Sequence, residues 1–165
     1  MSHETIKDLW IHNEPGDARI ATSAEILQVA REIMNRKIRR GTSMTSPRVV
    51  RDFLTVKLGT VEHESFCVLL LDSRHRLIEY VELFRGTIDG ANVYPREVVK
   101  LALAKNAAAL VVAHPHPSGI AEPSHADELI SQRLKEALSL VDIRLLDHVI
   151  IAGGVAVSLA ERGAL

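Results

Sequence analysis

Two short apolar runs, Phe66–Leu71 and Ala107–Ala113, constrain this chain most. Both are far shorter than the roughly 20 residues a membrane helix requires. Runs of this length, apolar at nearly every position, suit strands covered on both faces. Such strands sit in sheets with helices packed against them. Helical patterns do lie around both runs, so an α/β architecture is expected: a mixed sheet flanked by helices, preceded by a short helical segment.

The helical signals are specific. Thr22-Ser23-Ala24-Glu25 reads as a capping box. Ile26, Val29, Ala30, Ile33 and Met34 follow at helical spacing, and Gly41 is a natural stop. Ser46-Pro47 opens a second helix with Val49, Val50, Phe53, Leu54 and Leu58 on one face. After Phe66–Leu71, the turn at Asp72-Ser73-Arg74-His75 leads into a strand from Leu77 to Phe84, making a hairpin. Gly86 to Val93 connects to a helix from Pro95 to about Asn106. A helix from Ser124 to Leu140 follows, then strands at Arg144–Leu146, Val149–Ala152 and Val155–Leu159. Residues 1–20 read as polar and irregular, with a turn at Glu14-Pro15-Gly16 and Trp10 as an anchor. The expected division is a flexible arm over 1–20, a helical segment over 21–60 and a single α/β domain over 61–165.

The 165 residues are 47% hydrophobic and 25% charged, as in an ordinary globular domain. A formal net charge of −1 gives no global basic field for nucleic acid or anionic membrane. The N-terminal helices carry a local basic bias through Arg31, Arg36, Lys37, Arg39, Arg40, Arg48, Arg51 and Lys57. That bias fits either a solvated helix face or a weak association with nucleic acid. The single cysteine, Cys67, excludes an internal disulfide and a cysteine-based zinc finger, and reads as a core residue on a strand. No N-terminal apolar segment is evident, so a cytoplasmic protein without a membrane span is expected.

The eight histidines are the distinctive part of the composition. His114 and His116 lie where the second apolar run ends, and each precedes a proline. A residue before proline is held in extended conformations, and in an extended chain residues i and i+2 share a face. Asp127 falls in the first turn of the following helix, where the helix dipole favours the ionised carboxylate. Two imidazoles and one carboxylate form a plausible three-ligand zinc site with a fourth position open. Ser124-His125-Ala126-Asp127 also fits a plain helix cap with no metal. There is no HExxH pair, and the cysteine pattern of nucleobase deaminases is absent.

His114-Pro115-His116-Pro117 with Ser124 and Asp127 resembles the motif of the JAB1/MPN/Mov34 (JAMM) metalloproteases. Further stretches resemble the bacterial RadC (UPF0758) branch of that family. They are Leu83-Phe84-Arg85-Gly86-Thr87, Tyr94-Pro95-Arg96-Glu97-Val98-Val99, Leu146-Asp147-His148 and Ala160-Glu161-Arg162-Gly163. The resemblance covers about residues 45–165 and implies a JAB/MPN-like fold over 61–165. It implies one Zn²⁺ held by His114, His116 and Asp127, activating a water for hydrolysis of a peptide or isopeptide bond in a peptide or protein substrate. Glu64, in Glu64-Ser65-Phe66-Cys67-Val68, matches the family's general base, with Glu62 as the alternative. Ser124 would stabilise the oxyanion or orient the water, a use that competes with capping the helix. The RadC name also implies a link to DNA repair. Two departures stand out: Pro115 occupies the position usually held by Asn, and the helix-hairpin-helix region common at the start of RadC proteins is not apparent. Retention of metal without turnover is the alternative reading that Pro115 favours. His125 is expected to face solvent and His148 to support a strand pair.

Overall fold

In the computed structural model, residues 9–14, 17–86 and 93–165 are described. The elements run β1 (Trp10–Glu14), β2 (Asp17–Ile20), α1 (Ser23–Lys37), α2 (Pro47–Leu58), β3 (Ser65–Leu71) and β4 (Leu77–Arg85). They continue with α3 (Pro95–Ala104), β5 (Ala109–Pro115), α4 (His125–Ser139), β6 (Arg144–Ala152) and β7 (Val155–Ser158). Five strands form one mixed sheet in the order β4-β3-β5-β6-β7. Among the described residues, only β5 and β6 pair in parallel, joined by the crossover through α4.

Both apolar runs are central strands, and every residue of β3 and β5 is buried. Strand alternation divides them between two cores. Cys67, Leu69, Leu71, Ala109, Val111 and Ala113 pack with Phe53, Leu54 and Leu58 of α2. Phe66, Val68, Leu70, Leu110 and Val112 pack on the other face with Val98 and Ala102 of α3 and Leu134 and Leu138 of α4. The sheet is therefore covered on both sides, which explains why these strands are apolar throughout instead of alternating.

The structure corrects several sequence expectations. Residues 10–14 and 17–20 are not irregular: β1 and β2 pair antiparallel, with Trp10 opposite Ile20. The strands are short, five and four residues, and only β2 (Asp17-Ala18-Arg19-Ile20) alternates polar with apolar, too little pattern to stand out in the sequence. Trp10 is 57% exposed, so among the described residues it does not act as the expected anchor. Pro15 and Gly16 of the expected turn, and residues 87–92 of the connection before α3, lie outside the described residues. The α1 capping box forms as read, but no α1 residue is fully buried. The helix ends at Lys37, before Gly41, whose φ of 90° serves a turn instead. That turn leads the chain back to pair with the start of β4, through Gly41 N–H to Leu77 O (2.7 Å) and Leu77 N–H to Thr42 O (2.8 Å). The two strands expected at 144–146 and 149–152 are one continuous β6 that contains His148.

Candidate metal centre

β5 extends two residues beyond the expected strand, so His114 lies within the sheet. Even-numbered residues of β5 face the α3/α4 side, as Leu110 and Val112 show. His114 continues that series, and Phe66 of β3 stacks against its ring at 6.4 Å between centroids. The N-terminus of α4 approaches this face and brings Asp127 to the histidines. Asp127 Oδ1 lies 3.2 Å from His114 Nε2, and Oδ2 lies 3.6 Å from His116 Nε2. The two Nε2 atoms are 2.8 Å apart. One donor atom from each of the three residues falls within 4.8 Å of the others. Their side chains are exposed by only 11, 17 and 13%.

The surroundings prepare these atoms for a cation. His116 Nδ1 lies 2.9 Å from Ile120 O. A carbonyl only accepts, so the His116 proton sits on Nδ1 and Nε2 presents a lone pair. Burial alone would raise the Asp127 carboxyl. The adjacent His114 imidazole and hydrogen bonds from Ser124 outweigh that and hold it well below the usual carboxylate range. A bare imidazole nitrogen and an ionised carboxylate, converging with a second imidazole, are a donor set that fits Zn²⁺.

Ser124 forms the capping box with Asp127. Asp127 N–H donates to Ser124 Oγ (3.2 Å), and Ser124 N–H donates to Asp127 Oδ2 (2.7 Å). The Ser124 hydroxyl also donates to Oδ2, at 2.7 Å. Cap and cluster thus share one carboxylate instead of excluding each other. Glu64 immediately precedes β3, and its carbonyl accepts from Gly86 N–H at 2.8 Å. The β3–β5 register pairs Cys67 with Ala113; continued three residues, it sets position 64 across from His116. Among the described residues, no side-chain hydrogen bond ties Glu64 to the cluster. Glu62 lines a pocket of about 500 Å³ with Arg31, Lys57, Thr60, Val61 and His63. His125 is exposed, as expected.

Pro115 falls where its missing N–H is least costly. His116 N–H donates to Ile151 O on β6 (2.7 Å), so the backbone groups of its neighbour Pro115 point the other way, toward β3. The β3–β5 ladder makes its last pair at Cys67–Ala113, two residues before that position. A proline just past the end of a ladder removes no bond from it.

Sequence reasoning missed the groups behind His114. His148 is fully buried, and its Nε2 lies 2.9 Å from His114 Nδ1. It lies within β6, and its ring also contacts a member of the cluster. Burial, reinforced by the neighbouring His114, pushes the His148 imidazole down to about 3. Ser131 of α4 lies 2.6 Å from the far nitrogen of that ring. The Leu146-Asp147-His148 motif was visible in the sequence, but only the β5–β6 register, which pairs Val112 with His148, shows what it adjoins.

Comparison with known proteins agrees with this architecture. A UPF0758 protein of Marinobacter nauticus is 57% identical over 148 residues, covering 90% of this chain and 66% of the relative. One from Methylibium petroleiphilum is 53% identical over 150 residues, covering 91% and 68%. A third, from Cellvibrio japonicus, is 58% identical over 138 residues, covering 84% and 62%. The chain thus spans about two thirds of the length of these relatives. The family model of the RadC-like JAB domain matches residues 44–164, from the segment before α2 through the last turn and including every residue of the cluster. With that match and a sheet whose β5 and α4 bring two histidines and an aspartate together, the chain belongs to the RadC-like JAB domain family.

Proposed function

We propose that this chain is a zinc-dependent hydrolase of the metallopeptidase or isopeptidase type. The observation that carries the reading is the convergence of His114 Nε2, His116 Nε2 and Asp127 on one point. These three residues would hold the ion. When bound, zinc supplies a Lewis acid and a nucleophile available near neutral pH. Glu64 would take the proton released when the nucleophile forms and pass it to the leaving amine, as a general base and then acid. The Ser124 hydroxyl, now directed to Asp127 Oδ2, would turn to the oxyanion of the attacked carbonyl, a contribution of roughly 10²–10³ in rate. His116 is oriented for its part by Ile120 O.

The first test is metal analysis of untagged protein. Retained or readily restored zinc is expected; protein that takes up none refutes the reading. Glu64→Gln should keep the metal and lower peptide or isopeptide cleavage by about 10²–10⁴. A variant as active as wild type would remove Glu64 from the reaction. Zinc without turnover on any substrate would instead support an inactive metal-binding scaffold, the reading favoured by Pro115.

Association with nucleic acid through the N-terminal cations is the weaker proposal. Arg36, Arg48 and Arg51 are already paired with Glu32, Asp52 and Glu161. If duplex DNA is bound through phosphate contacts, affinity must fall steeply with salt. Among the described residues, no helix is long and apolar enough to cross a membrane.

A further inference from the structure

We propose that Ser131 and His148 are positioning residues that set the tautomer of His114, holding its proton on Nδ1 and leaving Nε2 bare toward His116 and Asp127. The argument starts from a group that cannot donate. Ser131 Oγ lies 2.5 Å from the backbone carbonyl of Asp127 and 2.6 Å from His148 Nδ1. At these distances each contact needs a proton between its two atoms. The carbonyl has none and serine has one, so the Ser131 proton goes to the carbonyl. The proton in the second contact must then come from His148 Nδ1.

His148 is fully buried, so its ring is neutral and carries that single proton. Its Nε2 is therefore an acceptor. The 2.9 Å contact between His148 Nε2 and His114 Nδ1 is filled by a proton on His114 Nδ1. His114 Nε2 is left without one. From the other side, Ile120 O fixes the His116 proton on Nδ1. Assigned inward from two carbonyls, the protons fill the outer contacts and leave two unfilled at the centre: the 2.8 Å approach of the two Nε2 atoms and the 3.2 Å approach of His114 Nε2 to Asp127 Oδ1. Those contacts, between bare nitrogens and a carboxylate, are the place for a cation.

The opposite polarity is a real alternative. Turning the Ser131 hydroxyl to His148 would reverse each donor along the line and put the proton on His114 Nε2. It would also leave two bare oxygens 2.5 Å apart. The Ser131 rotor thus decides which nitrogen of His114 faces the cluster. Phe66 closes the apolar side, stacked on His114 and edge-on to His148 at 5.6 Å between centroids, and offers no competing acceptor. Asp127 acts at both ends: its carboxylate faces the cluster, and its carbonyl anchors the line that orients His114.

The functional meaning rests on the metal site proposed above; the tautomer does not. The test is long-range ¹⁵N–¹H NMR of the imidazoles in the metal-free full chain, paired with Zn²⁺ titration against a competing chelator. Wild type should show His114 protonated at Nδ1. Ser131→Ala should move protonation to Nε2 or to a mixture and weaken zinc binding by about 10–100-fold. Ser131→Thr, which keeps the hydroxyl, should restore both. His114 protonated at Nε2 in metal-free wild type would overturn the proposal, even if zinc binds. So would folded Ser131→Ala with an unchanged tautomer and affinity. Protonation at Nδ1 in wild type without zinc uptake would support the positioning and refute the metal reading. Should Ser131→Ala fail to fold, the wild-type spectrum decides alone.

Discussion

Asp127 shows how much one side chain can hold. Its Oδ1 faces His114, while Oδ2 receives the Ser124 N–H and hydroxyl and lies near His116. An S-x-x-D segment can cap a helix and still offer an oxygen to a cluster, because a carboxylate has two oxygens and about four acceptor sites. The buried His148 has a consequence for pH. Its pKa falls from about 6.5 to about 3 on folding, so between those values the unfolded chain binds more protons than the folded one. Stability then rises with pH across that window and falls as acid is added. The depressed Asp127 carboxyl acts in the same direction at lower pH. We expect unfolding free energy of the metal-free protein to drop below pH 6.5, with His148 contributing up to ~1.4 kcal/mol per pH unit. Chemical denaturation at several pH values measures it; a flat profile from 6.5 to 4 would contradict a buried neutral His148.

At the scale of elements, the first turn of α4 does two tasks that a pair of substitutions separates. Ser124→Ala removes the cap and should destabilise the fold by about 1 kcal/mol. Ser124→Asn keeps a capping side chain but removes the hydroxyl, and should change stability by only a few tenths of a kcal/mol. If Ser124→Asn hydrolyses substrate as fast as wild type, the hydroxyl has no part in the reaction. The strand β6 makes a different point. Its polar residues Asp147 and His148 interrupt the apolar pattern, so the sequence reads as two strands. Inside the fold both are bonded: Asp147 Oδ1 accepts from the N–H groups of His148 and Ala160, and Oδ2 from the Ser158 hydroxyl. Polar residues continue a buried strand when tertiary partners satisfy them.

At the scale of the molecule, the two N-terminal helices differ in a way their patterns conceal. Both are amphipathic, yet α2 supplies Val50, Phe53, Leu54 and Leu58 to the core while α1 leaves Val29 53% exposed. Leu54→Ala should cost about 2–5 kcal/mol. Val29→Ala should stay within about 0.5 kcal/mol, as an exposed site. Equal losses in urea unfolding would mean that α1 belongs to the core as well.

By itself, the sequence determined the local matters. Two apolar runs made central strands, Thr22 and Glu25 made a capping box, and prolines after His114 and His116 favoured extended backbone at both. These follow from sterics and burial acting within a few residues. Only the tertiary structure decided what lies behind the cluster and around it. His114 and His148 are 34 residues apart, joined through the β5–β6 register, and Ser131 reaches His148 from a helix crossing that sheet. Proton placement on an imidazole depends on its neighbours in space, and no spacing within one chain segment encodes a hydrogen bond made across three elements.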